Sequence, residues 1–176
     1  SYLSWMWKNS QGFECTGYVG NGSGAGDLQP HSMGRSPEMI WLKRRNSGAD
    51  WLIGHNNKGF GWANNFNSST FSISAQTSYW VANTDTYRGI GMSDQRCNQN
   101  GKSYLVMLFA SVESISKCGG YTGNGSSSNA INCGFQPRFV LIKRTDSTGD
   151  WKVWDSLRGT SFPFNNMLRL NTNNGQ

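Results

Sequence analysis

Short apolar runs separated by stretches of Gly, Ser and Asn are the main pattern along the chain. Residues 1–7 and 103–112 are largely apolar or aromatic, which is typical of strands buried on both faces. Residues 71–74, Phe-Ser-Ile-Ser, alternate with period two, as a half-exposed strand does. No stretch keeps a helical period over three turns. The pattern predicts an all-β protein, and we expect an antiparallel β-sandwich.

Two hairpins are predicted at matching places. Residues 39–42 and 139–142 are short apolar runs that end in Lys-Arg, and a turn-rich segment and an Asp-Trp pair follow each of them. Gly, Ser and Asn favour chain reversal in such segments. We therefore expect a strand, a turn and a second strand that begins at Trp51 in one hairpin and at Trp151 in the other.

The chain is similar to itself at an offset of about 100 residues. Three segments recur in the same order: 1–3 at 103–105, 17–23 at 120–126, and 37–44 at 137–144. Six of the seven residues in the second match are identical. The period is longer than that of solenoid repeats, which are usually about 20–50 residues. It suits a small β-sandwich or one large sheet layer.

These matches divide the chain into a first β repeat, residues 1–102, and a second β repeat, residues 103–176, which is incomplete at its C-terminal end. The second repeat has no counterpart of residues 74–100. Either the polypeptide continues beyond residue 176, which is the simpler interpretation, or strands near the N-terminus complete the second unit.

The composition supports a folded, turn-rich chain. Gly, Ser and Asn make up 64 of 176 residues, while 8 Trp, 9 Phe and 6 Tyr supply apolar area. The net charge of +6 is compatible with anionic partners, but no nucleic-acid motif accompanies it and nucleic acid is not an expected partner. The four cysteines lack metal-ligand spacing, so we expect free thiols and neither a metal nor a cofactor. The longest apolar run has seven residues, too few to span a membrane.

Several motifs follow one another in the second repeat: Gly-Tyr-Thr-Gly-Asn-Gly-Ser at 120–126, Gly-Phe-Gln-Pro at 134–137, Phe-Val-Leu-Ile-Lys-Arg at 139–144, Gly-Asp-Trp at 149–151 and Asp-Ser-Leu-Arg-Gly at 155–159. With the run at 106–112, this series resembles a repeated domain of bacteriophage tail-fibre and virion structural proteins, common among marine and cyanobacterial phages. The resemblance covers nearly the whole chain. The first repeat departs from it, because Gly-His-Asn-Asn-Lys-Gly at 54–59 replaces the last motif.

The resemblance implies a lectin-like β-sandwich of the concanavalin type in a long virion-surface protein. It brings no catalytic residues with it. The partners that it implies are other virion proteins and further copies of the same chain, with a trimer among the candidate assemblies. Host-surface glycans are candidate ligands, and the implied location is extracellular, on the virion surface.

Eight residues are candidates for carbohydrate binding: Asp50, Trp51, Trp62, Tyr79, Trp80, Tyr87, Asp150 and Trp151. In the two Asp-Trp pairs, Asp can hold sugar hydroxyls while Trp stacks on a ring. The favoured alternative is structural, with Asp closing the turn and Trp starting a core strand. The four other aromatics lie among Gly, Asn, Ser and Thr, where we expect exposed loops. Their alternative role is to plug the edges of the sandwich.

Catalysis is not predicted. The chain has no Gly-x-Ser-x-Gly motif, its two histidines have no triad context, and its ten Asp and Glu residues form no persuasive pair for glycoside hydrolysis. Residues 146–150 contain two carboxylates that could approach calcium, but a full ligand set is not evident and a plain turn is favoured. We expect a non-catalytic virion module of a tail fibre or spike. A polysaccharide-degrading domain and a purely architectural spacer remain as alternatives.

Overall fold

The computed structural model describes residues 4–23, 26–58, 63–70, 79–91, 95–158 and 167–172. These residues contain eleven strands, one 3-10 turn (Asn56–Lys58) and no α-helix. The strands are β1 (Phe13–Val19), β2 (Asp27–Pro30), β3 (Met39–Arg44), β4 (Leu52–His55), β5 (Asn64–Asn65), β6 (Trp80–Asn83), β7 (Tyr87–Ile90), β8 (Ser103–Phe109), β9 (Phe139–Ile142), β10 (Lys152–Asp155) and β11 (Leu168–Arg169). All strand pairings are antiparallel, which confirms the predicted all-β antiparallel class.

The largest sheet has five strands in the order β1, β8, β3, β4, β5. Strand β8 pairs with β1 on one side and with β3 on the other, from Phe13↔Phe109 and from Met39↔Phe109 onward. A strand on the C-terminal side of residue 102 therefore lies inside a sheet whose other strands precede it in sequence. The division at residue 102 stays a prediction about the sequence, and it does not coincide with an edge of this sheet.

Alternation along β8 shows that both faces of the five-stranded sheet are covered. Tyr104, Val106 and Leu108 point to one face and are at most 1% exposed, while the residues between them are half-buried on the other face. The first face packs on the aromatic and aliphatic side chains of a three-stranded sheet ordered β2, β7, β6, including Trp80 and Ile90. The layers form a β-sandwich-like arrangement.

Gly54 allows that covering layer to approach. A Cβ atom added at Gly54 would lie 2.6 Å from Nε1 and 2.8 Å from Cε2 of Trp80. The indole therefore lies directly on the backbone of β4, a contact that a residue with a side chain would block. The guanidinium carbon of Arg88 lies 4.3 Å from the centroid of the same ring.

The other face of the five-stranded sheet packs on a second three-stranded sheet, ordered β11, β10, β9. Trp41, Ile53 and Phe66 form one cluster with Trp151, and Leu141 and Leu170 pack against it. Strands β9 and β10 pair from Phe139↔Asp155 to Ile142↔Lys152. Strands β3 and β4 pair from Met39↔His55 to Leu42↔Leu52, which is the same register displaced by 100 residues.

The outcomes differ among the three strands predicted outside the two hairpins. The apolar run 1–7 is not a strand in its described part, residues 4–7, so this expectation is wrong. The run at 103–112 forms β8, which ends at Phe109. Residues 71–74 lie outside the described residues.

The segment between β8 and β9 is irregular. Its only pairing among the described residues is the isolated bridge Val112↔Ser116, and residues 119–128 are exposed. Residues 116–122 correspond in sequence to β1, but the described chain offers no second β8 for them to pair with. An isolated extended segment of this kind gains no ladder hydrogen bonds.

Candidate functional site

The two Asp-Trp hairpins meet at one end of the molecule. Trp151 Nε1 donates a hydrogen bond to the backbone oxygen of Asn65 at 3.2 Å. The backbone oxygen of Ser69 accepts from Gly149 N at 2.8 Å and from Lys143 Nζ at 2.6 Å. The structure therefore brings together four of the eight candidate residues, namely the two Asp-Trp pairs.

Each aspartate of the pairs accepts hydrogen bonds from asparagine side chains that lie in or just after β5 or β11. Asn65 and Asn67 donate their side-chain amides to the Asp50 carboxylate at 3.0 and 2.7 Å. Asn171 donates in the same way to Asp150 at 2.9 Å, and Arg169 Nε lies 3.3 Å from the other carboxylate oxygen. Both carboxylates thus brace the end of their own sheet through side-chain partners.

The tryptophans of the pairs differ in exposure. Trp151 is buried, with its ring centroid 4.9 Å from that of Phe66 and the ammonium nitrogen of Lys143 at 5.9 Å from its ring centroid. Trp51 is half-buried, and its ring centroid lies 6.3 Å from that of Phe66. Trp151 therefore matches the structural alternative, while Trp51 retains some accessible surface.

A small aromatic cleft opens between the five-stranded sheet and the β9–β11 sheet. Its volume is about 140 Å³. Its lining residues are Trp5, Trp7, Trp41, Trp51, Phe66, Met107, Phe139 and Leu170. Because these walls present carbon surface, the cleft suits an apolar group and offers few hydrogen bonds to sugar hydroxyls.

The remaining aromatic candidates lie elsewhere. Tyr79 and Trp80 are buried in the core on the opposite face of the five-stranded sheet, so the expectation that they are exposed is wrong. A buried ring has no free face on which a sugar can stack. Tyr87 in β7 is 46% exposed, as expected. Trp62 lies outside the described residues.

The ends of β4 and β10 carry equivalent caps with different chemistry. His55 Nδ1 accepts from Asn57 N at 3.1 Å, and Asp155 Oδ1 accepts from Leu157 N at 3.1 Å. Asp155 also binds the Arg158 guanidinium at 2.5 Å and accepts from Trp5 Nε1 at 3.3 Å. The Asp-Ser-Leu-Arg motif is therefore a capped turn that also holds the N-terminal segment.

The environments of these caps shift their pKa values. Burial lowers the pKa of His55, opposed by the nearby charge of Glu38. Burial by itself raises the pKa of Asp155, but hydrogen bonds from Arg158 and Trp5 outweigh it, and the pKa lies below its ordinary value. At neutral pH, His55 is thus uncharged and Asp155 ionised.

Most other described acids also have structural partners. Glu14 accepts from both the backbone and the hydroxyl of Ser32, Glu38 accepts from Ser111 N, Asp85 accepts from Ser36, and Asp146 pairs with Arg144. Asp146 and Asp150 turn to different partners, which leaves the calcium interpretation without support. The part of the chain that the structure describes contains no cluster of three potential metal ligands. All four cysteines are free thiols.

Sequence reasoning missed the asparagines that hold Asp50 and Asp150, and it missed most of the cleft. One signal was present, because Leu170-Asn171-Thr172 matches Phe66-Asn67-Ser68, which follow the two hairpins along the chain. That match marks Asn67 and Asn171 as equivalent partners. No comparable signal connects Trp5 or Trp7 with Phe139, since their approach depends on the packing of two sheets.

The fold and the site define an all-β domain of layered antiparallel sheets, with an aromatic cleft between two equivalent hairpins. The chain belongs to the family described as a domain of unknown function, DUF7483, which matches residues 1–176. No curated protein and no solved structure matches the chain. Among the described residues, no helix is long and apolar enough to cross a lipid bilayer.

Proposed function

We propose that this chain is a non-catalytic structural module of a virion-surface protein, of the tail-fibre or spike type, built from tandem repeats on a lectin-like β-sandwich. Its partners would be other virion proteins and further copies of the chain. Recognition of host-surface glycans would be an added role of its exposed aromatic and polar side chains.

The observation that supports this proposal is the common strand pairing of two groups of three strands. Strands β3–β5 and β9–β11 share a register, and their turns share contacts. Lys43 Nζ bonds the backbone oxygen of Ala49, as Lys143 Nζ bonds that of Gly149. Repeated units stacked through apolar faces build length and many weak contacts, which suits a fibre better than a single active site.

The hydrogen bonds and the ion pair that the aspartates form favour a structural role over an enzymatic one. A glycosidase needs two carboxylates that face a shared cleft and are free to exchange protons with substrate. Asp50 and Asp150 instead accept amide hydrogen bonds, and Asp155 is held by Arg158. The aromatic cleft between the sheets has no acidic side chain in its lining.

Tyr87 favours the glycan role, because it is exposed and directly follows an exposed turn that carries hydroxyl and carboxylate side chains. Thr84, Asp85 and Thr86 are exposed in the turn that precedes it. An exposed aromatic face beside such groups is the arrangement on which sugar rings stack.

Antibodies against the purified chain test the virion assignment. We expect them to label the outer surface of phage particles that carry this sequence in electron micrographs, and mass spectrometry should find its peptides in purified particles. Particles that contain the protein only inside the capsid, or do not contain it, would refute the assignment.

A glycan-binding screen, run beside an assay for new reducing ends on the same polysaccharides, tests the mode of action. We expect saturable binding without release. Tyr87→Ala should weaken binding, while Tyr121→Ala, which removes another exposed tyrosine, should leave it unchanged. Release of new reducing ends would instead make the chain part of an enzyme. Absence of both binding and release would leave an architectural spacer.

A further inference from the structure

The edge of β9 that faces away from β10 has no neighbouring strand among the described residues, where the order is β11, β10, β9. Such an edge presents backbone N–H and C=O groups that another strand can bind. The equivalent edge of β3 is filled by β8, in register from Met39↔Phe109 to Arg44↔Tyr104. The pairing of β3 with β8 therefore indicates what kind of strand fits β9.

The directions of the backbone N–H and C=O groups support the equivalence of the edge of β9 and the edge of β3 that β8 fills. Arg45 N donates to Ser103 O at 2.9 Å, so odd-numbered residues of β3 turn their backbone groups toward β8. The backbone oxygens of Glu38 and Arg138 accept from Asn56 N and Ser156 N, so the carbonyl groups at these even-numbered positions face the next strand in both sheets, while Glu38 N, just before β3, donates to Phe109 O. Residues 139 and 141 consequently turn their backbone groups to the free edge.

The chain contains a second segment of the β8 type near its N-terminus. Residues 1–3 match 103–105 at an offset of 102. At this offset Trp7 takes the place of Phe109 and would lie opposite Phe139, with Met6 opposite Val140. The ring centroids of Trp7 and Phe139 already lie 5.5 Å apart. Met6 is 91% exposed and residues 4–9 form no strand, so the backbone of this segment is available for pairing.

We propose that the free edge of β9 binds the N-terminal segment of a second copy of this chain, with residues 4–7 of one copy pairing antiparallel with Phe139–Ile142 of the other. Repetition of this exchange joins copies head to tail. The proposal does not depend on a role in a virion.

A second copy is a better source of this strand than the chain's own N-terminal segment, because the contacts of Trp5 hold that segment away from the ladder position. In the ladder, Trp5 would lie opposite Leu141. Within one chain its indole instead donates a hydrogen bond to Asp155, which pairs with Phe139 at the end of the sheet. The centroid of the indole also lies 6.0 Å from the guanidinium carbon of Arg158. These contacts hold the segment across the end of β9. Exchange gives up the hydrogen bond to Asp155 and gains the backbone ladder.

Disulfide trapping between two variants tests the ladder. Positions 6 and 140 form a non-hydrogen-bonded pair in the proposed register, which brings the two Cβ atoms within disulfide range. Isotope-labelled Met6→Cys is mixed with unlabelled Val140→Cys under mild oxidation, and linked peptides are identified by mass spectrometry. We expect peptides that join labelled position 6 to unlabelled position 140, at about tenfold the yield of the control pair. The control replaces Val140→Cys with Lys152→Cys, an exposed position on β10.

The remaining outcomes count against the proposal. A link that forms only within single chains of the double variant Met6→Cys/Val140→Cys would show that each chain completes its own sheet. A yield no higher than that of the control pair would show that β9 accepts no such strand.

Sedimentation measurements provide a second readout without cysteines. The unmodified chain should associate as its concentration rises, and Val140→Lys should reduce this association, because a charge beside an open edge opposes strand addition. Thr145→Lys adds the same charge in the exposed turn after β9 and should associate like the unmodified chain. Equal association of both lysine variants would overturn the proposal.

Discussion

Gly54→Ala is expected to destabilise the protein because the added methyl group meets a ring that cannot retreat. The new Cβ would lie 2.6 Å from Nε1, 2.8 Å from Cε2 and 3.1 Å from Cζ2 of Trp80. Trp80 is only 4% exposed, and Arg88 covers its ring at 4.3 Å. Relief therefore requires β6 to move away from β4, which loosens the core between the two sheets.

The expected loss follows from two opposing contributions. Overpacking a close-packed core costs about 1–3 kcal/mol. Replacing Gly by Ala restricts the unfolded chain and stabilises the fold by about 0.4–1 kcal/mol. The net change is a loss of about 1–2 kcal/mol in the free energy of unfolding. For a chain of this size, each kcal/mol lowers Tm by about 2–4 °C.

Urea unfolding followed by circular dichroism measures this change, with Gly48→Ala as the control. A Cβ at Gly48 meets nothing within 4 Å. The double variant Gly54→Ala/Trp80→Phe should lose less than the sum of the two single losses, because the smaller ring relieves the clash. If Gly54→Ala is as stable as Gly48→Ala, the direct packing of Trp80 on β4 is refuted. The equivalent of Gly54 in the second hairpin is Trp154, opposite Val140, where the described chain has no covering sheet.

Three further predictions concern hydrogen bonding, pH and thiol chemistry. Asp50→Ala should lower the free energy of unfolding by about 1 kcal/mol in urea titrations, because two asparagine amides lose their acceptor; an unchanged midpoint would contradict the bracing role. The pKa of Asp155 is lowered in the folded state, so its carboxylate stabilises the fold above about pH 4 and that contribution is lost as the pH falls through the folded pKa. Asp155→Asn should therefore lower the free energy of unfolding at neutral pH, and below about pH 4 that free energy should fall less steeply with pH than in the unmodified chain. An unchanged pH dependence would show that Asp155 does not titrate in this range. Burial raises the pKa of Cys118 to about 12, so its alkylation at pH 8 should be at least about tenfold slower than in urea, as followed by mass spectrometry. Equal rates would count against burial of this thiol.

Local signals were sufficient to predict the fold class and both hairpins. Each Lys-Arg end, turn and Asp-Trp start lies within about fifteen residues, where turn chemistry and apolar runs determine the pairing. The structure places these segments in β3–β4 and β9–β10, with β4 and β10 beginning one residue after Trp51 and Trp151. The register common to both hairpins follows from the match of their sequences.

The environment of the aromatic residues could not be predicted in the same way. Tyr79 and Trp80 lie in a polar part of the sequence, but β6 forms a layer over β3, β4 and β8, so both rings are buried. Such burial depends on strands that are distant in sequence. The aromatic cleft has the same origin, because Trp7 meets Phe139 only when the second hairpin packs on the five-stranded sheet.

The run 1–7 shows why a strand-like sequence does not by itself make a strand. It shares the opening Ser-Tyr-Leu of β8, but β8 becomes a strand between two partners, with seven residue pairs to β1 and six to β3. In its described part, the N-terminal run has no such partners, and its aromatic rings bind the end of the neighbouring sheet instead. Because β8 completes a sheet formed by residues that precede it, a boundary drawn from sequence matches cuts through that sheet. The edge of β3 that β8 fills corresponds to the edge of β9 that has no neighbouring strand among the described residues, and this correspondence underlies the proposed pairing of β9 with residues 4–7 of a second copy.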